Sequence, residues 1–366
     1  MARDRTIYNS LAIYAGPSPA TGYHTSSANT GDNLVVQLHR ATSANWGFDA
    51  TRTPINIFGK LAHISRAITD PPTVNFDATW YDINARNESG LGMTVDNTVS
   101  AFSGIINGTQ DDRNYFLLLA PDEEDAIGNA SADSEFYCVG IGNGFLSNYA
   151  ARGSVGGFAE NSITVEGLNF KVDANRTGNT IPAINPAAGT DITNVTYGLT
   201  IPTTGLGTDV LRHGDMSVSI TTSANSQTGI GVSLSDWKLQ NYEVTANLSR
   251  TPLEKIGSKF PFARKINFPA DVGMRFTADM GDMATGNLSQ LLCNDNKYNI
   301  TITLKQPGCG GSGPVAKIYR LVDAQLDSES FSSSVGPNVS VDLGFSTQIA
   351  EASDVTVGLF ISGLVE

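Results

Sequence analysis

One short passage occurs twice in this chain, and the recurrence limits the fold more than any other feature. Arg52-Thr53-Pro54 returns as Arg250-Thr251-Pro252, 198 positions later. The register then holds without a gap: Gly59 meets Gly257, Arg66 meets Arg264, Ile68 meets Ile266, Pro71 meets Pro269 and Val74 meets Val272. Between them Ile55 answers Leu253, and Phe58 answers Ile256. Solenoid repeats have periods of about 20–50 residues. A far longer period predicts two tandem copies of one folding unit, and 366 residues exceed what a single core usually fills.

The unit reads as β. Only 16% of residues are charged and 37 are glycine, a balance that suits many short strands and turns and argues against a helical bundle. Leu34 to Leu38, Val74 to Trp80 and Tyr298 to Leu304 alternate apolar and polar residues or are rich in β-branched ones. In the last of these, Ile300, Ile302 and Leu304 share one predicted buried face, with Asn299, Thr301 and Thr303 outward. A glycine-rich tip around Cys309 leads into a second strand, Val315 to Val322, which predicts a hairpin.

Each half also shows one helical spacing. Phe102, Ile105 and Ile106 lie within Val99–Ile106, and Leu288, Leu291 and Leu292 within Asn287–Cys293. After each, the text resumes in parallel, Asp112-Arg113-Asn114-Tyr115 beside Asp295-Asn296-Lys297-Tyr298. Ile163-Thr164-Val165-Glu166 likewise resembles Val339-Ser340-Val341-Asp342, an offset of 176. The expected organisation is a first domain over 1–178, a linker or extended arm over 179–212, and a second domain over 213–366. Two long loops, Gly16 to Asp32 and Asp122 to Asp133, are the kind that compact domains keep when the loop has a task.

Chemistry is scarce. His24, His39, His63 and His213 have no metal-ligand spacing. Asp122-Glu123-Glu124-Asp125 lacks the alternating carboxylates that wrap a hard cation. Gly140-Ile141-Gly142-Asn143-Gly144 has no helix after it, so a turn or bulge is the better reading than a nucleotide loop. No nucleophile elbow or Ser/His/Asp pattern is present. The expectations are therefore no enzymatic activity, no cofactor and no metal. An odd set of three cysteines without a paired motif reads as free thiols. The opening residues argue against a secretory leader, and the lack of a long apolar run argues against membrane insertion. A net charge of −13 opposes tight binding of nucleic acid.

The only charged residues kept in both copies of the passage are Arg52 with Arg250 and Arg66 with Arg264. They serve either as ion pairs or caps within each domain, or as forks that meet acidic groups of a neighbouring copy. All four are candidate assembly residues. Pro54 with Pro252 and Gly59 with Gly257 fit a turn.

With these features in place, the chain resembles bacteriophage tail tube (major tail) proteins of the duplicated kind. The resemblance rests on the strand ending in Arg52-Thr53-Pro54 with its loop closing at Phe58-Gly59. The second copy repeats this at Arg250-Thr251-Pro252 and Ile256-Gly257, with a single helix before a hairpin in each half. The opening Tyr14-Ala15-Gly16-Pro17-Ser18-Pro19 is also similar to phage structural proteins. The resemblance implies two tandem β-sandwich or barrel domains, each flanked by one helix. It further implies trimeric, pseudo-hexameric rings stacked into a virion tail tube that is assembled in the host cytoplasm and conducts DNA. Partners would be further copies of the chain and other tail proteins (terminator, baseplate or tip, tape measure), with viral DNA passing without tight binding. The alternatives are a capsid-decorating or tail-tip component, or a carbohydrate-binding adhesin.

Overall fold

The computed structural model describes residues 11–17, 35–109, 111–120, 126, 137–173, 184, 210–222, 237–257, 260–261, 263–280, 297–308, 313–333 and 339–365. The expected helix at Asn287–Cys293, the acidic run Asp122–Asp125, the Cys309 loop and nearly all of the expected linker lie outside these residues.

The fold is mainly β, as expected. The first half contains β1 (Leu11–Pro17), β2 (Val36–Gln37), β3 (Ala41–Asp49), β4 (Arg52–Ile55), β5 (Ser65–Ile68) and β6 (Thr73–Tyr81). After the short helices α1 (Arg86–Gly90) and α2 (Ser103–Ile106) come β7 (Asp112–Leu119), β8 (Tyr137–Ser154), β9 (Glu160–Gly167) and β10 (Asn169–Asp173). The second half contains β11 (Met216–Thr222), β12 (Trp237–Asn247), β13 (Arg250–Leu253), β14 (Ala263–Ile266) and β15 (Ala270–Met280). It ends with β16 (Tyr298–Lys305), β17 (Val315–Ser332), β18 (Ser340–Ile349) and β19 (Gly358–Gly363). Where one helix was expected over Val99–Ile106 there is a single turn, and α1 is additional. Glycines and asparagines around both segments keep either from growing.

Alternation in sequence becomes alternation in burial. In β16, Tyr298, Ile300, Ile302 and Leu304 face the core while the residues between them are partly exposed. β7 is different, with Arg113 to Leu118 all buried. Its Tyr115 and Leu117 join the main core while Phe116 and Leu118 join a second cluster with Ala12, Tyr14 and Cys138. A strand covered on both faces needs a continuous apolar run, which Tyr115-Phe116-Leu117-Leu118-Leu119 supplies.

The pairings of the first half recur strand for strand in the second. β3–β6–β9–β8–β7–β1, with β10 also on β8, is matched by β12–β15–β18–β17–β16–β11, with β19 also on β17. All of these pairs are antiparallel. Irregularities recur as well. β3 is bulged between Ala41 and Ser43 and β12 between Leu239 and Asn241, which places Thr42 and Gln240 at the same point, 198 apart. β8 is bulged between Leu146 and Asn148 and β17 between Leu326 and Ser328, an offset of 180. Register therefore aligns Ile163 with Leu343, not with Val339 as the sequence alone suggested. Bulges are specified features of a strand and not packing accidents, and here they fall at matching places in the two halves.

Unpaired strands face each other across the core. The rings of Phe76 on β6 and Tyr115 on β7 lie 5.1 Å apart, and those of Tyr298 on β16 and Phe345 on β18 lie 5.4 Å apart. The glycine-rich segment from Gly140 to Gly144 runs inside β8 opposite the bulge at Arg113 and Tyr115. A Cβ on Gly144 would come within 2.7 Å of the Tyr115 ring, which accounts for glycine there. The repeated passage forms two separate ribbons, β4 with β5 and β13 with β14. Pro54 and Pro252 lie in strands of these ribbons and not in the turns, whereas Gly59 and Gly257 sit in the turns at φ +83° and +88°. These isolated ribbons leave proline without a sheet interior to disrupt.

Candidate assembly interface

The two halves meet edge to edge. Asn241 to Asn247 of β12 pair antiparallel with Asn148 to Ser154 of β8, so one sheet runs unbroken through both halves. Val244 faces Ala151 and Ala246 faces Tyr149, and all four side chains are buried. A Cβ on Gly153 would come within 2.5 Å of the Tyr242 ring, so the glycine makes room for the tyrosine opposite it.

Charged groups reinforce both flanks of this junction. On one flank, Arg250 at the start of β13 pairs with Asp111, donates to the Leu146 carbonyl at 3.2 Å and lies 5.1 Å from the Phe145 ring centroid. Arg264 on β14 pairs with Glu166 of β9. The Arg250 and Arg264 side chains are 0% and 5% exposed. Burial holds the Arg264 guanidinium below its ordinary value against the pull of Glu166, and burial raises the Asp111 carboxyl despite Arg250.

On the other flank lies a fully enclosed polar cluster. Lys317 of β17 reaches Asp82 Oδ1 at 2.9 Å and Glu88 Oε1 at 2.7 Å. Tyr319 donates to Asp82 Oδ2 at 2.6 Å, and Asn161 donates to Glu88 Oε1 at 2.8 Å. The Tyr149 hydroxyl lies 3.1 Å from Glu88 Oε1 and 3.1 Å from the Tyr319 hydroxyl. Asp82, Glu88, Tyr149 and Asn161 belong to the first half, Lys317 and Tyr319 to the second. Two carboxyls share one ammonium in a site closed to solvent. Loss of hydration, with Asp82 adding to it, raises the Glu88 carboxyl above its ordinary value, while Lys317 opposes the shift.

This has a pH consequence. A carboxyl raised on folding holds its proton in the native chain over a range where the unfolded chain has lost it. Its contribution is complete below the unfolded value and is lost as pH rises through the folded one. Glu88 therefore favours the native state most below its ordinary 4.5. Glu88→Gln, which keeps the neutral shape, should flatten the decline in stability as pH rises above that ordinary value in denaturant titrations. An unchanged slope would assign the decline elsewhere.

The four candidate arginines are thus divided. Arg250 and Arg264 are brought together at the junction, where they meet acids of the other half. Arg52 and Arg66 lie exposed, on the two strands of the one ribbon β4–β5. Arg250→Ala or Arg264→Ala should cost about 2–3 kcal/mol by stranding a partly buried carboxylate. Arg52→Ala and Arg66→Ala should stay within about 0.5 kcal/mol in the isolated chain. Equal costs at all four would remove the distinction.

Asp111, Glu166, Asp82, Glu88 and Lys317 were not singled out from the sequence. Lys317 alone left a signal, since it shares the inward parity of Tyr319 and Leu321 in an alternating strand. Among the described residues no group of three or more His, Cys, Asp or Glu is placed to hold a metal, and no helix is long and apolar enough to cross a membrane.

The chain is thus a mainly antiparallel β protein with one edge-to-edge junction between its halves, and among the described residues β3 and the later part of β17 each pair on one side only. No protein-family model matches it, and no curated protein matches it. Among solved structures it is similar to a chain of the anti-feeding prophage (AFP) baseplate, determined by cryo-EM and 6-fold symmetrised. That chain is 12% identical with a TM-score of 0.30, and the match covers 44% of this chain and 99% of that one. A likeness at this level carries no argument about what the present chain does.

Proposed function

We propose that the chain is a phage structural protein that closes into rings of three chains, six sheet units per ring, stacked as a tail tube. One observation carries this reading. The junction between the halves is filled once within the chain, while the matching surfaces stay open at both ends. Among the described residues β3, the counterpart of β12, has no neighbour beyond β6, and the second part of β17, the counterpart of the β8 segment, has none beyond β18. Repeating the internal step between chains is a head-to-tail contact, which either closes into a ring or runs on as a filament. Such edges are hazards unless they have an intended partner.

The net charge of −13 fits a bore through which DNA slides without adhering. No catalytic role or cofactor is proposed. Light scattering with negative-stain microscopy of the purified chain tests the reading. Three-chain rings or tubes of constant bore are the expected result. Monomers at every concentration and salt would overturn it.

A further inference from the structure

Resting on that reading, we infer that the contact between chains is an antiparallel strand pair whose register is already written in the internal junction. β12 maps onto β3 by the 198-residue offset, and the second part of β8 maps onto β17 by the 180-residue offset, each anchored by a shared bulge. Internal partners Glu243 with Arg152, Val244 with Ala151, Thr245 with Ala150, Ala246 with Tyr149 and Asn247 with Asn148 are then transposed. Asn45 of one chain falls opposite Ser332 of the next, Trp46 opposite Phe331, Gly47 opposite Ser330, Phe48 opposite Glu329, and Asp49 opposite Ser328.

The transposed pairs suit a second copy of this chain. Val244 and Ala151 are wholly buried where they meet, so their counterparts Trp46 and Phe331 should meet over the same core face. Phe331 is 42% exposed and Phe48 is 61% exposed in the single chain, so both edges present aromatic surface that lacks a cover. A directly opposed aromatic pair is among the more stabilising cross-strand contacts. The outward pairs are small or polar, Asn45 with Ser332 and Gly47 with Ser330, and place no like charges opposite each other. A one-residue slip would turn Trp46 and Phe331 away from the core side, so the register is strongly specified.

Among the described residues the ionic cluster has no counterpart at this contact. Lys317 and Tyr319 map onto Tyr137 and Val139, and Tyr149 and Asn161 onto Glu329 and Val341. The contact between chains thus relies on strand pairing and aromatic burial where the internal one adds a locked charge group.

The test is oxidative cross-linking under assembly conditions of the full chain carrying Asn45→Cys and Ser332→Cys. Directly opposed Cβ atoms come within disulfide reach. A covalent trimer is expected from the double variant. An equimolar mixture of the two single variants should stop at dimers, because each chain then offers one reactive end. Asn45→Cys with Ser328→Cys, four residues out of register, should not link. Rings that link through the shifted pair, or through neither pair, overturn this register while leaving the ring reading intact. The absence of any ring overturns both.

Discussion

Lys317→Met is expected to lower the stability of the isolated chain by about 3–5 kcal/mol. Among the described residues the ammonium is the only cation paired with Asp82 and Glu88, in a site closed to solvent, and two segments of the first half converge on it. Removing it leaves two carboxyls with no compensating charge, and the cost is the stranded acids more than the lost attraction. The midpoint of a urea titration reads the loss. Adding Asp82→Asn and Glu88→Gln to Lys317→Met should recover a large share, because amides need no counter-charge. Lowering the pH should also shrink the loss, since protonation neutralises Glu88, whose carboxyl burial already raises. A loss under about 1 kcal/mol, or no recovery in the triple variant, would show that the halves do not depend on this cluster.

Phe331→Asp is expected to abolish assembly while leaving the stability of the single chain within about 0.5 kcal/mol of wild type. The side chain is already 42% exposed in the single chain, so a carboxylate is tolerated there in a monomer. Opposite Trp46 of a neighbour it would be buried unpaired and the aromatic contact would vanish. Together these cost about 2–4 kcal/mol per contact, or roughly 30-fold to 1,000-fold in affinity. Three such contacts must form at once in a closed ring, so the assembled fraction should fall below detection. Sedimentation velocity beside a thermal melt separates the two effects. Assembly unchanged in Phe331→Asp would place the chain contact on another surface, and a collapse of the melt would place Phe331 in the chain's own core.

Much of the fold was legible because it depends on local pattern. The alternation of Tyr298 to Leu304 sets which residues of β16 are buried without reference to any other strand. Gly59 and Gly257 announced turns because few other residues adopt positive φ cheaply. The helices were less legible. Val99–Ile106 carries helical spacing, yet its serine and glycine content limits it to one turn once neighbouring strands supply the burial.

The interface was legible only in part. Four arginines repeat, but sequence cannot tell which pair is enclosed, since that depends on which side of each half already has a neighbour. The inward parity of Lys317 marks it as buried, but its partners Asp82 and Glu88 lie more than 200 positions away and only the fold brings them beside it. Bulges shift the alignment of the later strands, and a bulge leaves no reliable trace in composition.

A closed assembly of these chains would have seams of two kinds in alternation. Three would be welded within a polypeptide by a charge group that forms as the chain folds, and three would be zipped between polypeptides by aromatic rings and backbone alone. Under heat, denaturant or mechanical load the wall should therefore give way at every second seam, shedding intact two-unit pieces rather than single units.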